Sequence, residues 1–430
     1  MSRAGDPFPC ARQSASYRTG CSWGGEPLAH RHVLDGVTVL DFTQFIAGPA
    51  CTRLMAEMGA EVIKIEVAPN GDLCRVLPVL REGRSAYFVQ HNQGKKSVCV
   101  DLRNPDAIEL LKGLIAQADV VIENFSPGVI GRLGLGWDVV HAVNPKAIMC
   151  SISAFGQSGP LKDLPGFDYI AQAFSGVTSM IGDPDGKPPL AGLAVGDVGT
   201  AISALAAING ALFHRERTGG DGQYLDISLV DFYFHAHEIN VQTYSMSGDT
   251  PHRSGSLHPL VAPLGIYQAK TGFIVIVAIG EQWERLCRAM ERPDLREDTR
   301  FATPEKRLEN RETLSDLIEA WLGGFESDAA AIAALEKARV PVAPVLSVAE
   351  ATNHPHLIGR GTVRTIHDRG VGTFRIPGMP LRFSDFPGEL ELTAPFLGEH
   401  NTEVLQSRLG LDDARLAALR EAGVLVEARR

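Results

Sequence analysis

Asp197 lies in Leu193-Ala194-Val195-Gly196-Asp197-Val198-Gly199-Thr200, an acid flanked by glycines at the mouth of an apolar stretch. Glycines let backbone amides approach a ligand closely, so this acid is a candidate ligand contact. Asp is also a preferred N-cap, so simple helix capping is the competing reading. Asp168, in Pro165-Gly166-Phe167-Asp168-Tyr169, is a second acid in a turn before a helix, whereas Asp183-Pro184-Asp185-Gly186 has the composition of a plain hairpin turn. His235, His237 and Glu238 have metal-ligand chemistry, but side chains at i and i+2 diverge on a helix, so no metal site is expected. Gly156-Gln157-Ser158-Gly159-Pro160 lacks the second glycine at the offset of a nucleophile elbow, and its proline spoils the turn into a helix. A serine hydrolase is therefore not expected.

The elements that must position these residues read as alternating strands and helices. Residues 37–42 form a buried strand, 50–58 a helix and 61–66 a second strand, which makes a βαβ unit. A helix follows over 105–116 with Asn104 as N-cap, then strands over 119–124 and 147–152. Residues 196–215 have helical spacing and end in His214-Arg215-Glu216-Arg217-Thr218-Gly219-Gly220, a basic last turn with a glycine stop. Short strands at 264–268 and 273–278 and charged helices over 281–335 suggest a second, smaller domain. The reading is thus an α/β protein: a flexible extension at 1–32, a large Rossmann-like parallel-sheet domain at 33–254, a small α+β domain at 255–345, and a segment at 346–430, with a closing helix over 412–422, returning to the large domain.

In such a sheet a ligand sits outside the carboxyl ends of the strands, here the loops 41–49, 66–72 and 124–128. The first of these, Thr43-Gln44-Phe45-Ile46-Ala47-Gly48-Pro49, is not the G-x-G-x-x-G of a dinucleotide site. Lys95, Lys96, Arg103 and Arg132 lie near these loops as candidate phosphate contacts, or as ordinary solvated charges. The chain has 430 residues with 41 Lys plus Arg against 51 Asp plus Glu, a formal charge of −10. That balance supplies no general attraction to nucleic acid or to an anionic membrane. With no apolar run read as long enough to span a bilayer, a soluble protein is expected. Seven cysteines, none in a C-x-x-C pair, suit a reducing cytoplasm. Arg3, Arg12 and Arg18 among serines leave an organelle transit peptide as an alternative, which Asp6 and Glu26 weigh against.

Several ordered blocks stand out along the chain. They are Leu40-Asp41-Phe42-Thr43 with Ala47-Gly48-Pro49, then Gly59-Ala60-Glu61-Val62-Ile63-Lys64-Ile65-Glu66, then Asn92-Gln93-Gly94-Lys95-Lys96-Ser97 and Glu123-Asn124-Phe125-Ser126-Pro127-Gly128. Together with Gly196-Asp197, Arg217-Thr218-Gly219-Gly220-Asp221-Gly222-Gln223 and Pro395-Phe396-Leu397-Gly398-Glu399-His400, these blocks closely resemble the family III CoA-transferases, a group that includes formyl-CoA and carnitine CoA-transferases.

The resemblance implies that Asp197 is the catalytic residue, acylated by an acyl-CoA to a mixed anhydride and then converted to an aspartyl-CoA thioester. An aspartate with an ordinary pKa of about 3.9 is ionised at neutral pH and needs no base to activate it. The resemblance also places Arg103, Asn124, Phe125 and Arg132, with Gln44, Ile46 and Ala47 of the first loop, where coenzyme A is contacted. It implies an interlocked homodimer acting on acyl-CoA and a small carboxylic acid, with no tightly bound cofactor and coenzyme A as substrate and product.

The α-methylacyl-CoA racemases of the same family pass a proton between an aspartate matching Asp197 and a histidine just before the acid matching Asp168. Phe167 stands there and cannot move a proton, which favours transferase over racemase. A non-catalytic acyl-CoA binding protein is the third reading. The formyl-CoA branch closes its site with a glycine run and carries a Gln at the position aligned with Ile46. Here the lid region reads Arg253-Ser254-Gly255-Ser256-Leu257-His258-Pro259, bulkier and less free to sample positive φ, and Ile46 cannot hydrogen-bond an acceptor, so a different dicarboxylate or acyl acceptor is expected instead of formyl and oxalate.

Overall fold

The structure, a computed structural model, describes residues 32–386 and 390–428. The extension expected at 1–32 lies outside the described residues except for His32, which stacks on Phe386 and meets Phe383 edge-on. In chain order the main elements are β1 (Thr38–Asp41), α1 (Ala47–Glu57), β2 (Glu61–Val67), β3 (Lys95–Val100), α2 (Pro105–Ile115), β4 (Val120–Glu123), β5 (Ile148–Ser153), α3 (Asp168–Phe174), α4 (Val195–Thr218), β6 (Tyr224–Ser228) and α5 (Leu229–His235). The six strands pair in parallel in the order β3-β2-β1-β4-β5-β6. Crossover helices cover both faces, which is why the central strands are near-continuous apolar runs such as Val120-Val121-Ile122.

On one face α1 and α4 bury Met55, Ile152, Ala204 and Ile208; on the other α2 meets the C-terminal residues Leu405, Leu416 and Leu419. A separate core around Ile274, Trp283, Leu286 and Ile318 forms where β7 (Leu264–Gln268), β8 (Phe273–Val277) and β9 (Val342–Pro344) make an antiparallel sheet under helices. The hairpin of β10 (Val363–Asp368) and β11 (Gly372–Pro377) packs Ile366 and Ile376 toward Phe88 and Val89.

Asn104 caps α2 as expected, its Oδ1 accepting the Asp106 N–H at 2.9 Å. α1 begins three residues earlier than the sequence pattern suggested, because Pro49 in the first turn occupies a position whose N–H has no helical acceptor. The β3 and β6 strands were absent from the sequence reading. At 24 residues α4 is long and apolar enough by composition to cross a membrane, contrary to the absence of such a run read from the sequence. It packs instead along α1, with Ala201, Ala204, Leu205 and Ile208 buried at helical spacing.

Candidate active site

The chain crosses from one half of the sheet to the other between β1 and β4. The loops leaving these two strands bound a cleft of about 420 Å³. A reciprocal amide pair ties the loops together: Gln44 N–H donates to Asn124 Oδ1, and Asn124 Nδ2 donates to the Gln44 carbonyl, both at 2.8 Å. Phe45 is held at φ 64°, a left-handed conformation that a non-glycine residue keeps only when its surroundings enforce it. They do: Phe45 N–H donates to Asp72 Oδ1 at 3.3 Å, and its carbonyl accepts from Cys74 Sγ at 3.4 Å.

Beneath the loop runs a buried charge network. Lys64 pairs with Asp72 at 2.9 Å and donates to the Thr43 carbonyl at 2.6 Å, while Lys95 pairs with Asp41 at 3.0 Å. Burial alone pushes the Asp41 carboxyl up, but Lys95, Lys64 and the Thr43 and Thr52 hydroxyls outweigh it and hold the group well below the usual carboxylate range.

Asp197 projects into this cleft from the first turn of α4. It is not the cap: Ala194 occupies the N-cap position without a side-chain bond, and Asp197 is the third residue of the helix. Burial, and after it the like charge of Asp168, raises its pKa to about 7. The ordinary, fully ionised aspartate expected from sequence is therefore replaced by one with a high proton affinity.

Asp168 is 5 % exposed and accepts the Tyr233 O–H through Oδ1; the same hydroxyl accepts the Gly196 N–H at 2.9 Å. The glycines beside Asp197 serve packing as well as access. A Cβ on Gly196 would stand 2.2 Å from the Tyr233 ring, and one on Gly199 1.9 Å from the Phe232 ring. α5 thus crosses the first turn of α4 at a distance that only glycine allows.

Comparison with known proteins gives the family of the chain. Residues 34–401 match the family model described as CoA-transferase family III. The chain belongs to this family. Its relatives include succinyl-CoA–D-citramalate CoA-transferase of Chloroflexus aurantiacus, 36 % identical over 91 % of this chain and 98 % of the relative. Succinyl-CoA:mesaconate CoA-transferase of Haloarcula hispanica is 38 % identical over 86 % and 95 %. A crystal structure of a CaiB/BaiF family protein from Brucella suis superposes with a TM-score of 0.77 at 34 % identity, covering 88 % of this chain and 99 % of that one.

Within this family III CoA-transferase the residues anticipated from sequence fall into two groups. Gln44, Ile46, Ala47, Asn124, Phe125 and Asp197 all line the cleft. The amide of Asn124 bonds the Gln44 backbone through both Oδ1 and Nδ2 and so ties the two loops together at the cleft wall. Arg103 is exposed and forked onto Asp101, outside the cleft wall. Arg132 is also exposed and lies over Gly128, at the end of the 124–128 loop. Lys95 and Lys96 are not phosphate contacts: Lys95 is fully engaged inside with Asp41, Asn92 and the Pro49 carbonyl, and Lys96 pairs with Glu61 and Glu403.

The segment 253–259, expected as a closing lid, is absent from the cleft wall. Arg253 grips the carbonyls of the 183–186 turn, and Leu257 bridges to Gly265 of β7. His237 points Nε2 at the Ser175 carbonyl at 2.9 Å, and among the described residues no three His, Cys, Asp or Glu side chains gather as a metal set.

Sequence reasoning missed Tyr87 and Lys162, both of which line the cleft. Burial, then the charges of Cys74, Asp197 and Asp72, push the Tyr87 phenol up, so it remains a hydrogen-bond donor across the physiological range. Its only sequence signal is position: it precedes the Asn92–Ser97 block by one helical stretch, Ala86–His91, capped by Ser85. Lys162 pairs with its exposed neighbour Asp163 at 2.9 Å. Nothing local marks either residue, since helix Ala86–His91 and the segment carrying Lys162 are distant in sequence from Asp197 and meet it only at the cleft.

Proposed function

We propose that this CoA-transferase moves CoA from a succinyl-type thioester to a dicarboxylic acid through covalent intermediates on Asp197. The observation that carries the reading is the placement of Asp197: among the described residues lining the cleft it is the only acid, and Lys162 is the only cation.

The Asp197 carboxylate attacks the thioester carbonyl; a C–O bond forms, the C–S bond breaks and CoA thiolate leaves. The thiolate then attacks the aspartyl carbonyl of the mixed anhydride and releases the donor acid as its carboxylate. The acceptor carboxylate displaces CoA from the aspartyl thioester, and thiolate attack on the acceptor's acyl carbon returns Asp197 and frees the new thioester. Partial burial deprives the carboxylate of hydration, and its raised proton affinity accompanies greater nucleophilicity. The Tyr87 hydroxyl is suited to donate to the oxyanions of these steps.

Citramalate and mesaconate, named in two relatives, are dicarboxylates. Lys162 offers the charge for a second carboxylate, while Ile46, Leu164 and Phe167 supply apolar wall for the carbon chain between. Phe167, 66 % exposed and edge-on to Phe45 at 5.9 Å, has no titratable group, which supports transfer over two-base racemisation. Coenzyme A enters as substrate and leaves as product with no resident cofactor.

Phe213, Phe234, Tyr244 and Met246 are each more than half exposed. Their number supports burial against a second copy in a homodimer. Buried free thiols at Cys51, Cys74, Cys99, Cys150 and Cys287 suit a cytoplasmic setting.

The test is to incubate the enzyme with succinyl-CoA and hydroxylamine and to look for a hydroxamate at Asp197 by peptide mass spectrometry. Turnover of a dicarboxylate panel without that adduct would refute the covalent route.

A further inference from the structure

Three other features of the molecule are less informative than the buried side chains behind Asp197. The second cavity, of about 410 Å³, lies on α1 between Arg53, Ile202 and Met379 and is largely apolar, with nothing to define an occupant. The buried pairs Lys64–Asp72 and Lys95–Asp41 are complete in themselves. The exposed Phe213, Phe234, Tyr244 and Met246 belong to the dimer reading already given.

The Asp168–Tyr233 pair differs because it is anchored on two helices and ends on the backbone of the reactive turn. We propose that Tyr233 and Asp168 are positioning residues for Asp197: Tyr233 fixes the first turn of α4 through the Gly196 amide, and Asp168 holds the Tyr233 hydroxyl with one oxygen while its other oxygen stands unpartnered behind that turn.

The geometry is directional. Tyr233 O–H donates to Asp168 Oδ1 and accepts from Gly196 N–H, so one hydroxyl links α3, α5 and α4. Gln172 Nε2 approaches the same oxygen at 3.5 Å. Tyr233 is 2 % exposed and its ring leaves no space for a Cβ on Gly196, so the contact cannot slide along the helix. The other carboxylate oxygen, Asp168 Oδ2, is buried with no hydrogen-bond partner among the described residues. An uncompensated buried carboxylate oxygen is costly, and it leaves a negative charge poorly screened beside Asp197. The Tyr87 phenol, from helix Ala86–His91, also feels the charge of Asp197, and Lys162 lines the same cleft but is already paired with Asp163. Asp168 is the only one of these that opposes ionisation of Asp197 by its own charge.

This inference deepens the Asp197 reading, and the experiment separates the two. The Asp197 carboxyl is titrated in the free enzyme by carbon NMR of 13C-aspartate-labelled protein, which needs no turnover, and kcat and KM are measured in parallel across pH. Asp168→Asn is expected to move the Asp197 titration and the acid limb of kcat/KM down by about one unit, as removal of a like charge requires. Tyr233→Phe leaves Asp168 without its donor and is expected to move both up, with kcat lowered about 10-fold to 100-fold and KM for the acyl-CoA within about two-fold. Asp168→Glu is expected to restore the wild-type limb.

Opposite shifts distinguish positioning from general damage. If the titration stays in place in both variants, or moves the same way in both, the proposal is overturned. Should Asp168→Asn fail to fold, the Tyr233→Phe shift decides alone. Failure of hydroxylamine trapping with these shifts intact would remove the covalent mechanism and leave the positioning role standing.

Discussion

Replacing Asp197 by Asn is expected to abolish transfer and yet stabilise the fold. The structure sets the sign. The folded pKa of Asp197 is raised from 3.8 to about 7, by burial and then by Asp168. Between these values the folded chain binds a proton that the unfolded chain has released, so the wild type loses stability as pH rises through that window. Above pH 7 both states are ionised and the penalty is constant; near pH 4 it vanishes.

A shift of about three units corresponds to about 4 kcal/mol at 1.36 kcal/mol per unit, and the partial exposure of the side chain reduces this to about 2 kcal/mol. Urea unfolding of the wild type and Asp197→Asn at a series of pH values tests it. The variant should be more stable by about 2 kcal/mol at pH 8, with the gap shrinking to nothing near pH 4. A variant less stable at pH 8, or a gap independent of pH, would refute the view of Asp197 as a half-buried charge crowded by a second carboxylate.

Three further outcomes follow from the same geometry. The kcat/KM of the wild type should climb with pH and level off above an apparent pKa of about 7, measured with a saturating acceptor acid. Lys95→Met should cost about 3–5 kcal/mol in urea unfolding, because it strands the buried Asp41 charge; a loss below about 1 kcal/mol contradicts the network. Gly199→Ala should destabilise by about 1–3 kcal/mol through collision with the Phe232 ring, and the added Phe232→Leu change should recover much of it. Additive losses in that double variant would count against a direct clash.

The strands and helices on either side of the cleft were legible because their signals are local: Val-, Ile- and Leu-rich runs, the Asn104 cap, the glycine stop after α4. β3 escaped because Lys95-Lys96-Ser97 reads as a basic loop. Only the fold reveals that Lys95 is neutralised by Asp41, 54 positions earlier. β6 escaped for a related reason: Asp226 interrupts its apolar pattern, and its carboxylate accepts the Gln157 N–H of a distant loop at 3.0 Å.

Asp197 itself was legible as an acid between glycines. Its proton affinity was not, since Asp168 and the surrounding burial are tertiary facts. The glycines, too, were noticed for access to a ligand, whereas Tyr233 and Phe232 supply the steric reason for them.

The contact of α5 with the first turn of α4 has a practical consequence for altering the enzyme. Because Gly196, Gly199, Phe232 and Tyr233 interlock without slack, mutational libraries that include them would lose folded members before sampling new acceptors. Ile46 and Phe167 line the cleft outside that interlock, Phe167 mostly exposed, so diversity in substrate choice is best sought there.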